Sequence, residues 1–143
     1  MTRPTPQAIQ ADLIEEFEDY PTWKERFEWI LERGADYADE HPFPPEAKRD
    51  ENLVPGCVSR IWLTSELQDG RVHFEAESEA LIVQGLAALA LEVYSDQSPQ
   101  DIVNTPADYL EKTGLIHNLT PSRSNGLASL VKVIKAHAQS YLK

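Results

Sequence analysis

Along the opening of the chain, Ile9, Leu13, Ile14 and Phe17 recur at the spacing of one helical face, and Tyr20-Pro21 ends that run. The same period returns in Trp23, Phe27, Ile30 and Leu31, which predicts a second helix starting near Pro21 or Thr22, with Gly34 near its end or inside it. His41 to Asn52 holds Pro42, Pro44, Pro45 and a run of charges, the composition of a surface loop with at most one helical turn.

At Cys57 the pattern changes. Val58, Ile61, Trp62 and Leu63 supply the β-branched and aromatic content of a strand, and Arg71 to Glu77 alternates, with Val72, Phe74 and Ala76 on one side. Gln68-Asp69-Gly70 between the two runs offers a residue tolerant of positive φ, so the pair reads as an antiparallel hairpin. Ser78 is then expected to cap a long helix containing Leu81, Ile82, Leu86, Leu89 and Val93, with Glu79 near its positive end.

Ser98-Pro99 and Thr105-Pro106 each place a hydroxyl cap before a proline in the first turn, which predicts two short helices. Leu127, Leu130, Val131, Ile134 and Ala138 mark the last helix, with Ser122 or Ser124 as its expected cap. The fold class expected is α+β, a small antiparallel sheet packed against helices. One domain over residues 1–143 is expected, and residues 1–7, with Pro4 and Pro6, read as a loose start.

Charge narrows the partners. Thirteen Lys and Arg against twenty-four Asp and Glu leave −11, which argues against nucleic acid and anionic lipid surfaces. Residues 112–143 nevertheless hold five bases and no acid, so this end is suited to an acidic surface. The nearly apolar run Ala80 to Val93, interrupted by Gln84, is shorter than the ~20 residues that cross a bilayer. Met1 to Leu13 lacks the order of a secretory or transit signal, so the expected location is the cytoplasm.

Cys57 is the sole cysteine, which excludes an internal disulfide and any metal or iron–sulfur site built from several thiolates of this chain. No HExxH or CxxC spacing points to a metal, and no GxxxxGK[ST] or GxGxxG sequence is present to cradle a phosphate. Val54-Pro55-Gly56-Cys57 has the composition of a type II turn, which would present the thiol at a loop-to-strand junction. Burial as a small hydrophobe is the commoner fate of a free cysteine, and at this point both stay open.

A hydrolytic thiol needs a histidine within hydrogen-bond reach. His41, His73, His117 and His137 show no local signature with Cys57, and His117-Asn118 comes nearest. Arg123 falls at the expected start of the last helix, where the dipole opposes a cation. That position suits either a recognition role or a buried carboxylate partner.

Four segments in order resemble the SufE family of cysteine desulfuration proteins: 54–62 (VPGCVSRIW), 78–85 (SEALIVQG), 98–102 (SPQDI) and 119–127 (LTPSRSNGL). The resemblance spans nearly the whole chain, with the only cysteine in its first segment. It departs from the family at Glu79, where many members carry Asp, and at Gln84, where many carry a basic residue.

The resemblance implies a curved antiparallel sheet flanked by helices, similar to the scaffold protein IscU. It also implies that Cys57 accepts sulfane sulfur, as a persulfide, from a SufS-like cysteine desulfurase. The sulfur then passes to a SufBCD-like scaffold complex that assembles iron–sulfur clusters. Arg123 matches the arginine of the family's motif, with docking to the desulfurase or shaping of the acceptor loop as its implied role, and Glu79 is implied on the partner surface. No cofactor is expected on this chain, since pyridoxal phosphate belongs to the desulfurase. An acceptor loop of this kind is expected to hide its sulfur until docking, and a homodimer is left open. The competing readings are a non-catalytic adaptor or scaffold-like binding protein, and a redox-sensing thiol. The last would need a cationic cradle around Cys57, for which Arg60 and Arg123 are the candidates.

Overall fold

Four helices open on one device, a Ser or Thr hydroxyl that accepts the backbone N–H three residues on. Thr5 takes Ala8 N–H (3.2 Å), Thr22 takes Glu25 N–H (3.2 Å), Ser98 takes Asp101 N–H (3.2 Å) and Thr120 takes Arg123 N–H (3.4 Å). In three of them, at Pro6, Pro99 and Pro121, proline follows in the first turn, where its missing N–H costs nothing. A computed structural model describes residues 3–142. Its order is α1 (Pro6–Glu18), α2 (Trp23–Glu40), two 3-10 turns (Pro45–Ala47 and Asp50–Asn52), β1 (Ile61–Gln68), β2 (Arg71–Ser78), α3 (Leu81–Tyr94), α4 (Pro99–Asn104), α5 (Tyr109–Lys112), a 3-10 turn (Leu115–His117) and α6 (Pro121–Ser140).

The sheet is a two-stranded antiparallel hairpin, running from Ile61 opposite Ser78 to Gln68 opposite Arg71. Asp69 (φ 53°) and Gly70 (φ 80°) both take the left-handed region, as a two-residue hairpin turn with the native strand twist requires. Val72, Phe74 and Ala76 face the core as the alternation predicts. The fold is α+β, as expected.

Buried residues cover most of α3, and α1, α2, α6 and β2 all contact it. Its approach to α2 is backbone to backbone. A Cβ added to Gly85 would lie 2.2 Å from the Ile30 carbonyl oxygen, and one on Gly34 2.6 Å from the Gly85 nitrogen. Gly34 therefore sits inside α2, where it and Gly85 let the two helices touch.

Several expectations are corrected. Thr105 closes α4 and does not open a helix: buried, it donates its hydroxyl to Asp101 O (2.6 Å), while its carbonyl accepts from Tyr94 Oη (2.8 Å). The following helix, α5, starts only at Tyr109. Ser78 ends β2, and the α3 cap position falls to Ala80, which makes no side-chain cap bond. The Ser78 hydroxyl instead donates to Arg60 O (2.8 Å), and its N–H goes to Gln84 Oε1 (2.7 Å).

Thr120, rather than Ser122 or Ser124, caps α6. The opening residues, expected to be loose, carry contacts from Arg3 on. Arg3 Nη2 donates to Glu92 O (2.8 Å) and Gln97 Nε2 donates to Pro4 O (2.9 Å), while Met1 and Thr2 lie outside the described residues.

Candidate functional site: a half-buried thiol in a helix-walled cavity

Val54 is buried and donates its N–H to Ile61 O (2.9 Å), so the chain leaves that bridge, turns through Pro55 and Gly56, and returns to β1. Gly56 has φ +78°, the conformation a type II turn needs at its third position. Cys57 and Val58 belong to this loop and not to the strand, which begins at Ile61; Val58, expected in the strand, is 80% exposed.

α6 holds the loop from the other side. The Ser129 hydroxyl donates to Pro55 O, and the Cys57 thiol points at Gly126 O (3.5 Å). A Cβ on Gly126 would meet Cys57 Sγ at 3.4 Å, so glycine there lets the sulfur rest against the helix. Cys57 is half-buried, and burial pushes its thiol pKa up. Burial thus disfavours the thiolate, which speaks against a redox-sensing thiol.

Beside the sulfur lies a cavity of 320 Å³. Its apolar wall includes Ile61 from β1, Val83 and Leu86 from α3, and Leu127 and Leu130 from α6. Thr120, Ser122 and Arg123, from the cap and first turn of α6, supply the polar part. Arg123 is exposed, and among the described residues its guanidinium has no carboxylate within ion-pair distance. The structure thus leaves it without the buried carboxylate that was one of its two readings.

Glu79 is not part of the cavity wall. Its carboxylate takes Arg60 Nη2 (2.9 Å), Arg60 Nε (3.1 Å) and Arg60 N–H (3.3 Å). Arg60 in turn lies over the Trp62 ring at 5.2 Å. Hydrogen bonding to Arg60 lowers the Glu79 carboxyl pKa and raises that of the guanidinium. Cys57 and Arg123 therefore share one cavity, and Glu79 fastens the far end of the thiol loop. The cationic cradle that Arg60 was considered for is neutralised by this pair.

None of the histidines bonds to Cys57. His41 stacks on Tyr37 (4.6 Å), His73 Nδ1 pairs with Asp96 (2.8 Å), His117 faces Glu111 (3.4 Å) and His137 Nδ1 meets Ser65 Oγ (2.6 Å). Among the described residues no cluster of three or more His, Cys, Asp or Glu is placed to hold a metal ion, and no helix is long and apolar enough to cross a membrane. Sequence reasoning missed the loop anchors. Gly126 lies within the 119–127 segment, whereas Ser129 carries no local signal and is found only because the fold brings it to Pro55.

Fold and site define an α+β protein that presents one thiol on a loop against a helix-walled cavity. The family model described as "SufE: Fe-S metabolism associated domain" matches residues 11–138. The chain belongs to the SufE family, and its association is with Fe–S metabolism. An uncharacterized SufE-like protein of Synechocystis sp. is 35% identical over 131 residues, covering 92% of this chain and 80% of its own length. An uncharacterized SufE-like protein of Rhizobium meliloti is 34% identical over 135 residues, covering 91% and 94% respectively. The solution structure of a hypothetical protein from Thermus thermophilus shares the fold with TM-score 0.74, at 23% identity, over 96% of this chain and 97% of that one.

Proposed function

We propose that Cys57 accepts sulfane sulfur from a pyridoxal-phosphate-dependent cysteine desulfurase in the cytoplasm and passes it on for iron–sulfur cluster assembly. The observation that carries this reading is the placement of the chain's only thiol: on a loop, half-buried, with its sulfur beside a 320 Å³ cavity. In the transfer, Cys57 Sγ forms a bond to the outer sulfur of the donor's cysteine persulfide. The donor's S–S bond breaks, and its electron pair leaves with the donor sulfur. The proton lost by Cys57 is regained by the donor thiol, so the exchange consumes no oxidant or reductant.

The electrostatics favour a reaction that starts only inside a complex. An ordinary thiol of pKa about 8.5 is a few per cent ionised at neutral pH, and burial lowers that fraction for Cys57. The donor complex therefore has to supply the activation. Once formed, the outer sulfur of Cys57–S–SH has room in the cavity between Ile61, Leu127 and Leu130, where these apolar side chains shelter it from water and stray thiols. With no second cysteine in the chain, the persulfide cannot collapse into an internal disulfide. The recipient is a SufBCD-like scaffold complex.

The test is intact-mass measurement after incubation with a SufS-like desulfurase and free cysteine. A gain of one sulfur is expected, absent from Cys57→Ser. If Cys57→Ser stimulates the desulfurase as fully as the unaltered chain, the protein is an adaptor and the acceptor reading is wrong.

A further inference from the structure

Exposed large apolar side chains are few among the described residues, and two stand apart: Val58 and Leu81 are each 80% exposed, against 39% for Leu31 and 47% for Leu67. Val58 borders the thiol, and Leu81 is tied to the thiol's loop through the Arg60–Glu79 pair. Val58 directly follows Cys57 and lines the cavity. Leu81 opens α3, two residues before Val83 of the cavity wall. The segments that carry them are joined between the two positions by the Arg60–Glu79 pair (2.9 Å) and by Glu79 N–H on Arg60 O (3.4 Å).

Val58 and Leu81 thus flank one fastened junction at the mouth of the site. Leaving such side chains in water has no structural return, since neither completes the core. Apolar residues gathered at a functional mouth are the composition of an interface centre.

What covers this surface follows from the chemistry. A donor that brings its sulfur to bonding distance of Cys57 must lie over the surrounding surface, and a stable complex takes about 800 Å² from each partner. A second copy of this chain is a poor occupant, because each copy carries −11. Arg123, on the same cavity and without a carboxylate of its own among the described residues, favours a partner that offers one.

We propose that Val58 and Leu81 are the apolar anchors on which the sulfur-donating desulfurase docks, beside the Arg123 contact that the family resemblance already implies. The inference rests on the acceptor reading above and gives a docking role to Val58 and Leu81, which the sequence pattern assigned to a strand and to a helix interior.

The experiment titrates the full chain and its Val58→Ser, Leu81→Ser and doubly substituted variants against the desulfurase with cysteine present, reading the concentration that gives half-maximal sulfur transfer. In parallel, each protein is loaded at Cys57 by inorganic polysulfide, which needs no docking. Leu67→Ser serves as the control for an exposed apolar residue elsewhere.

Each single substitution is expected to raise the half-saturating concentration about tenfold. The double variant should raise it further, with polysulfide loading of Leu81→Ser, which lies outside the cavity lining, and the Leu67→Ser titration within about twofold of the unaltered chain. An unmoved half-saturation in the double variant overturns the proposal while leaving the acceptor reading intact. A parallel loss of polysulfide loading in Leu81→Ser also overturns it, by giving Leu81 a part in the loop's own structure. A dimer of the chain alone that the double variant dissolves would give the patch to a second copy and refute it as well. If the unaltered chain takes no sulfur from the desulfurase but loads from polysulfide, both readings fall together.

Discussion

Replacing Gly85 by Ala sets two known effects against each other. Alanine is the better helix former by about 1 kcal/mol in a helix interior, so on local grounds the variant gains. In the tertiary structure the new Cβ would lie 2.2 Å from the Ile30 carbonyl oxygen and 2.7 Å from Ile30 Cγ2. Carbon and carbonyl oxygen settle at about 3.3–3.6 Å, so α2 and α3 have to part by roughly 1 Å. A gap of that size forfeits about a quarter to a half of the dispersion attraction along the seam.

The obstacle is backbone, which cannot swing aside as a flexible side chain does. The cost therefore falls at the upper end of the ~1–3 kcal/mol usual for overpacking, or beyond it. Net destabilisation of about 2–3 kcal/mol is expected. At ~2.1 cal/mol/K of unfolding entropy per residue, a chain of 143 residues should lose roughly 7–10 °C in Tm.

Urea unfolding followed by tryptophan fluorescence is a direct assay, because Trp29 is 6% exposed and adjoins Ile30 in α2. The midpoint should fall with the slope unchanged. A midpoint that stays put or rises would refute the reasoning, since helix propensity would then outweigh a clash that the two backbones do not make.

The other predictions concern the thiol, the histidines and the cavity wall. The rate of Cys57 alkylation by iodoacetamide should inflect above the ordinary thiol value, because burial raises its pKa; an inflection at or below that value contradicts a sheltered sulfur. His73 loses charge stability to burial, but hydrogen bonds and charge from Asp96 and then Glu75 outweigh this, so its folded pKa lies above the unfolded ~6.5. Its contribution is fully present below that unfolded value and is lost as pH rises through the folded one. For His137, burial alone lowers the pKa, so its contribution is present above ~6.5 and is lost as pH falls through the folded value. Stability against pH should accordingly show His73→Gln converging on the unaltered chain toward alkaline pH and His137→Asn converging toward acid pH; convergence in the same direction would contradict the assignments. Leu130→Ala removes a side chain only 1% exposed that belongs to both core and cavity wall. It should cost about 2–5 kcal/mol and quicken alkylation of Cys57. A loss under about 1 kcal/mol in urea unfolding, or an unchanged alkylation rate, would place Leu130 away from the thiol's shelter.

Much of the fold was legible because its signals are local. The hydroxyl–proline pair that starts α4 at Ser98-Pro99 is a contact within one helical turn, and the alternation of Val72, Phe74 and Ala76 declares its own buried face. The same signal misled at Thr105-Pro106, because a local pattern does not reveal that Thr105 is buried and engaged by Tyr94. At α6 the signal was present in Thr120-Pro121 but was read two to four residues late. Glu79 is implied on the partner surface by resemblance alone, and its pairing with Arg60, nineteen positions earlier, becomes visible only in the tertiary structure.

By itself, the sequence determined the helices and hairpin, the single thiol after Pro55-Gly56, and the segments that resemble the SufE family, since each is set by neighbours along the chain or by residue identity. Tertiary structure alone decided that the thiol rests on Gly126 and its loop on Ser129, 69 and 74 positions away respectively. It also decided that α2 and α3 meet through Gly34 and Gly85, and that Val58 and Leu81 stay in water beside the cavity. The physical reason is separation along the chain: helical period and capping act over three or four residues, whereas a cavity exists only where distant segments are closed against one another by the burial of a common core.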